Sequence, residues 1–284
     1  MLHKYIHSFD KTRIHYIIKR SKNKHFLVFI HGVSANWTIW KKQLEFFDYA
    51  GYSYIALDLR GHGMSDRPSE EKKYIFQYFA KDIRAILKVE QIKDFTLIGH
   101  SLGGGIVLDY VTHLKKQPKA AIVIDTATVN PFEHKAVLHF NKYISRFLRF
   151  ITKHQTLKDN KKKKEIDLYH VYKRNKLILA WQWIKQCPLK VIITVLDKLE
   201  EHTQQHGQQT IKRLRRLKTP VLVISSLFDP IVSARYGEDI SKYAKNAVFR
   251  IIKGVNHAVV IDKADEVNTT LLKFLQKRQI KEYF

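Results

Sequence analysis

A chain of 284 residues with 45% apolar and 27% charged side chains can bury one large core, and its balance excludes disordered and fibrous classes. Its 51 lysines and arginines against 26 acidic residues leave a formal charge of +25. The excess is spread along the chain rather than gathered in an arm, which argues against a specific nucleic-acid site and leaves weak association with anionic surfaces as the expectation. One cysteine, Cys187, excludes an intrachain disulfide and a cysteine-based zinc cluster. The opening residues lack the apolar stretch of a secretory signal, and no run of about 18 apolar residues occurs, so a cytoplasmic location is expected.

Residues 2–20 alternate apolar and polar around Phe9-Asp10-Lys11-Thr12, which predicts an opening hairpin. Phe26 to Ile30 is a continuous apolar run, as a strand buried on both faces requires, and it ends at His31-Gly32. A second such strand runs from Ser53 to Asp58 and ends in Arg60-Gly61-His62-Gly63. Residues 75–90 carry Ile75, Phe79, Ile83, Ile86 and Leu87 at helical spacing. Strand then alternates with helix: a strand over Phe95 to Ile98, a helix over Leu102 to Lys115, and strands at Ala120–Ile124, Val221–Ile224 and Val248–Ile252. A last helix is predicted over Ala264–Lys277. This alternation predicts a mostly parallel sheet covered on both faces.

One stretch breaks the alternation. Between about Pro131 and Gln209 only helical patterns occur, at Phe140–Ile151, Leu177–Ile184 and Val191–Leu199. An inserted helical cap over 131–206 is therefore predicted, with residues 1–130 and 207–284 forming the core. Apolar faces beside many basic residues suggest a cap that covers an acyl chain while its rim accepts an anionic head group. Of the four tryptophans, Trp37 is expected nearest the pocket.

The chemistry is concentrated in Gly99-His100-Ser101-Leu102-Gly103, a Gly-x-Ser-x-Gly motif between a predicted strand and a predicted helix. Such a serine must occupy a tight, strained turn that lifts its hydroxyl clear of the sheet, and bulky neighbours two residues away would collide. A serine hydroxyl also needs a base. His257 follows the last strand and Asp229 follows the preceding one, so both fall at the sheet edge that holds Ser101, where open α/β sheets bind ligands. Asp125 also ends a strand and is the rival acid. The order Ser, Asp, His is that of doubly wound serine hydrolases.

These features resemble the α/β-hydrolase superfamily, in particular its esterase, monoacylglycerol-lipase-like and thioesterase members. The likeness extends to His31-Gly32 and to Asp58-Leu59-Arg60-Gly61-His62-Gly63-Met64-Ser65-Asp66. It implies an eight-stranded, mostly parallel sheet with an inserted lid. It implies catalysis by Ser101, Asp229 and His257, with an oxyanion hole from the backbone N–H groups of Val33 and Leu102. It leaves His31 to shape its loop and His62 and Asp66 to structural turns. The implied substrate is a small acyl ester, cleaved without metal or organic cofactor. A serine at the elbow argues against haloalkane dehalogenases and epoxide hydrolases, whose members use aspartate there. C–C bond hydrolysis, thioester hydrolysis and a ligand receptor with vestigial turnover stay open as alternatives.

Overall fold

The computed structural model describes residues 1–128, 152, 164–174, 182 and 185–278. Eight strands form one sheet: β1 (Leu2–His7), β2 (Arg13–Lys19), β3 (Phe26–Ile30), β4 (Ser53–Leu57), β5 (Phe95–His100), β6 (Ala120–Ile124), β7 (Val221–Ser226) and β8 (Ala247–Ile252). Their spatial order is β1-β2-β4-β3-β5-β6-β7-β8. The pairs β1–β2 and β2–β4 are antiparallel, and every later pair is parallel.

The continuous apolar runs explain the layering. β3 to β7 are buried along their whole length, so each needs apolar side chains on both faces. Successive residues alternate between two cores: Phe26, Val28 and Ile30 face one, Leu27 and Phe29 the other. The first core is closed by α2 (Phe76–Val89), α3 (Leu102–His113) and the long α5 (Leu189–Leu214). The second is closed by α1 (Lys41–Tyr49) and α8 (Ala264–Lys277), with the short α4 (Leu168–Arg174) and α7 (Val259–Asp262) at its edge. A further helix, α6 (Ala234–Tyr243), packs on β7 and β8.

Two helices add to those predicted. α1 buries Gln43, Leu44 and Phe47, and α6 buries Gly237 and Ile240. The predicted helices at Phe140–Ile151 and Leu177–Ile184 lie outside the described residues. The third, Val191–Leu199, is the first part of α5, which continues unbroken through residue 206, the expected end of the cap. Among the described residues no helix is long and apolar enough to cross a membrane.

The loop after β4 is fixed to the hairpin and to α2 by a buried ion pair. Arg60 is fully buried; its Nε and Nη2 donate to Asp82 at 2.7 and 2.6 Å, and its Nη1 to Asp10 at 3.1 Å and to the Lys73 carbonyl at 3.0 Å. A fork of that kind satisfies most of the guanidinium donors, which is what permits its burial. Arg60→Ala or Asp82→Ala alone strands a buried charge and should cost about 3–5 kcal/mol in urea unfolding. The joint replacement Arg60→Met with Asp82→Leu should cost less than the sum of the single losses. Full additivity would show that the pair is not what holds the loop.

Candidate active site

β5 ends at His100 and α3 begins at Leu102, which leaves Ser101 alone in the turn. Its φ of 54° and ψ of −119° lie where a residue with a side chain rarely sits, at a cost of about 1–3 kcal/mol. The surroundings enforce that shape. A Cβ on Gly103 would stand 2.2 Å from the Ile30 carbonyl oxygen, and one on Gly99 would stand 2.2 Å from that of Gly103. The Ser101 N–H donates to the Ile124 carbonyl at 2.9 Å, and the Thr126 hydroxyl donates to the Ser101 carbonyl at 2.8 Å. The turn is thus tied to β3 by contact and to β6 and the loop that follows it by hydrogen bonds.

His257 and Asp229 arrive at the same edge from the ends of β8 and β7. His257 Nε2 lies 3.0 Å from Ser101 Oγ, and its Nδ1 lies 2.6 Å from Asp229 Oδ2. The other oxygen of Asp229 accepts from the N–H groups of Ile231 and Val232 at 2.7 and 3.0 Å. Burial alone would raise the Asp229 pKa. The hydrogen bond and charge attraction of His257, with those two N–H donors, outweigh it and hold the carboxyl below its ordinary value. An ionised carboxylate only accepts, so the proton sits on His257 Nδ1 and the Nε2 lone pair faces the serine hydroxyl.

Asp125, the rival acid, has other partners. Its oxygens accept from the N–H and the hydroxyl of Ser226 at 2.6 and 2.7 Å. Burial, and then the neighbouring charge of Asp229, push its pKa up to about 7. His31 is buried and engaged at both nitrogens: it lies 2.7 Å from the Gly32 carbonyl and accepts from the Leu59 N–H at 3.0 Å. Burial lowers its pKa, and it shapes its loop as expected. His62 and Asp66 hold turns, to the Arg60 carbonyl and from the Arg13 N–H.

Val33 and Leu102 stand beside the serine in the wall of a cavity of about 560 Å³. Leu102 is the first residue of α3, so its N–H has no partner within the helix. The Val33 N–H meets no acceptor among the described residues. The remaining walls are largely apolar, with Leu168 and Tyr172 from α4 and Leu196 and Leu199 from α5. No lysine or arginine lines the cavity among the described residues, so the anionic-head-group expectation finds no support there. Trp37 does not line it either. It is buried, with its N–H donating to Asp58 at 2.9 Å and its Nε1–H to Glu165 at 2.9 Å; Ile39 faces the cavity instead.

One residue of the edge was not singled out by sequence. His100 Nε2 lies 2.8 Å from the His257 carbonyl, so its ring donates there and holds the loop that carries His257. Burial pushes its pKa down to about 3, and it stays a neutral donor. Its signal was its place beside Ser101 in the motif. His100, Asp125 and His257 also lie within 4.8 Å of one another at their ligand atoms. Both ring nitrogens of His257 already face Ser101 and Asp229, so a metal there would dismantle the chain of hydrogen bonds.

The fold agrees with known proteins. Residues 26–264 match the α/β hydrolase fold family. Protein ABHD8 of Bos taurus is 26% identical over 260 residues, covering 88% of this chain and 55% of that protein; the chain spans about half the length of this relative. Epoxide hydrolase 3 of Xenopus tropicalis is 24% identical over 97% of this chain and 78% of its own. Among solved structures, the esterase EaEST from Exiguobacterium antarcticum superposes with a TM-score of 0.75 at 20% identity, covering 97% of this chain and 100% of its own. With the match spanning most of its length, this chain belongs to the α/β-hydrolase fold family.

Proposed function

We propose that this protein is a serine hydrolase that cleaves carboxylic esters, of short-to-medium acyl or monoacylglycerol type, through an acyl-enzyme on Ser101. The observation that carries this reading is the unbroken chain from Ser101 Oγ through His257 to Asp229, opening on a largely apolar cavity. His257 Nε2 takes the hydroxyl proton as Ser101 attacks the acyl carbonyl. The N–H groups of Val33 and Leu102 receive the oxyanion, a contribution of about 3–4 kcal/mol per donor in comparable sites. His257 then hands its proton to the leaving alcohol. Water, activated the same way, releases the acid. Each step uses this chain's own side chains and N–H groups. Thioesters fit the same sequence of steps, and a cytoplasmic setting fits a soluble ester substrate.

Epoxide hydrolases stand among the relatives, and chemistry separates them from this site. A carboxylate that opens an epoxide forms an ester, which water can cleave. Ser101 would form an ether, which has no carbonyl for water to attack, and turnover would stop after one cycle. The serine therefore favours acyl transfer.

A p-nitrophenyl ester series from acetate to palmitate should find a short-to-medium optimum. Ser101→Ala should lower kcat there by roughly four to six orders of magnitude with an unchanged fold. Retention of a tenth of the activity would refute the nucleophile.

The two carboxylates separate by pH as well as by rate. Asp229→Asn mis-sets the imidazole tautomer and should lower kcat by about 10⁴-fold, while Asp125→Asn should change it by less than about tenfold. The Asp125 pKa of about 7 lies above its unfolded value near 3.8, so the native state binds this proton more tightly. Its contribution to stability is therefore present at low pH and lost as pH rises towards and through 7. Asparagine matches the protonated acid in shape. Asp125→Asn should gain on wild type in unfolding free energy between pH 5 and pH 8, and a difference that stays flat would contradict the assignment.

A further inference from the structure

The opening hairpin brings two histidines together diagonally across its strands, His3 being paired with Ile17 and His15 with Tyr5. His15, on β2, is buried, and His3, on β1, is half-exposed; His15 Nε2 lies 3.1 Å from His3 Nδ1. Glu165 reaches the same point from the segment between β6 and β7, with its Oε2 3.7 Å from His3 Nδ1. The ligand atoms of His3, His15 and Glu165 all lie within 4.8 Å of one another. None of the three lines the active-site cavity.

What lies behind His15 gives the cluster its direction. Its Nδ1 is 2.8 Å from Oδ2 of Asp58, a fully buried carboxylate that also accepts from the N–H groups of Trp37 and Met64, each at 2.9 Å. With the Asp58 carboxylate accepting from Nδ1–H, the Nε2 of His15 is left to face outward, towards His3 and Glu165. A carboxylate behind a histidine in this way is the arrangement that orients an imidazole ligand and raises its basicity.

We propose that His3, His15 and Glu165 form a binding site for a divalent cation of the zinc class, with Asp58 orienting His15 and water completing the coordination. Two imidazoles and one carboxylate are the donor set that zinc takes, whereas calcium and magnesium prefer oxygen donors. Tetrahedral bonds of about 2.0–2.1 Å set neighbouring ligand atoms about 3.3 Å apart, so shifts of about 1.5 Å at most would close the site. The exposed side chains of His3 and Glu165 have room for that movement. The ion joins three parts of the chain: the hairpin, the loop after β4 through Asp58, and the segment between β6 and β7 through Glu165. Trp37 links both carboxylates, through its backbone N–H to Asp58 and its Nε1–H to Glu165. The ion has no part in acyl chemistry; it braces the loop that carries Val33.

The test uses the whole, tag-free chain stripped with a chelator and titrated with Zn²⁺ against a chromophoric competitor. One equivalent should bind tightly, and Tm should rise with Zn²⁺ concentration. His3→Ala and Glu165→Gln alter side chains that are not buried. Each should weaken binding by more than the roughly 10–100-fold that loss of an orienting carboxylate costs, and each should abolish the Tm rise. Far-UV circular dichroism and ester hydrolysis of both variants without zinc report that the fold is intact. His257→Ala, which removes the cluster at the catalytic edge, should leave the affinity unchanged. No stoichiometric binding would overturn the proposal. So would binding that survives both substitutions, which would mark adventitious capture by scattered histidines, or binding lost only with His257.

Discussion

The start of α3 lies against the end of β3 with no room for a side chain. At Gly103 a methyl group would stand 2.2 Å from the Ile30 oxygen, and that approach forces the turn at Ser101 into its left-handed shape. The rest of the edge follows from it. The serine hydroxyl stands clear of the sheet because helix and strand are packed this closely. The loop after β3 sits beside it for the same reason, since a Cβ on Gly32 would come within 3.1 Å of the Ser101 Cβ. The strain is held by burial on both sides of the sheet, where β3, β5 and β6 expose almost nothing to water.

Electrostatics at this edge are set by dryness more than by the large positive charge. Burial pushes His62 and His100 down to about 3 and lowers His31, so all three stay neutral and serve as fixed donors or acceptors. His257 differs in being partly exposed and bonded to an ionised carboxylate. Two acids stand close together, and the protein separates their roles by partner. Asp229 is given two backbone N–H groups and the imidazole; Asp125 is given one serine and a dry site. The lysines and arginines that make up the +25 charge are absent from the described cavity wall.

Much of this was legible from residue order. Strands buried on both faces must be apolar throughout, so the runs at Phe26–Ile30 and Ala120–Ile124 announce themselves, and their ends place Ser101, Asp229 and His257 at one edge. What sequence could not resolve depends on distances across the fold. Asp125 and Asp229 both end strands, and the hydrogen bond of His257 distinguishes them. Trp37 sits in the loop beside the site, yet its ring turns to Glu165, more than a hundred positions away. α1 and α6 each bury only a few side chains, and the continuous apolar runs that mark the strands have no counterpart there. The diagonal approach of His3 to His15 depends on hairpin register, which alternation suggests but does not number.

The central claim is that Ser101 becomes a nucleophile because His257 and Asp229 make it one. A fluorophosphonate reacts with an activated serine and leaves a tetrahedral phosphonyl adduct that mimics the oxyanion intermediate. Peptide mass analysis after brief labelling tests the claim most directly. The account predicts one adduct per chain, on the peptide carrying Ser101, formed at least about a hundredfold more slowly in His257→Ala. Labelling of a different residue, or of Ser101 at an undiminished rate without His257, would contradict it.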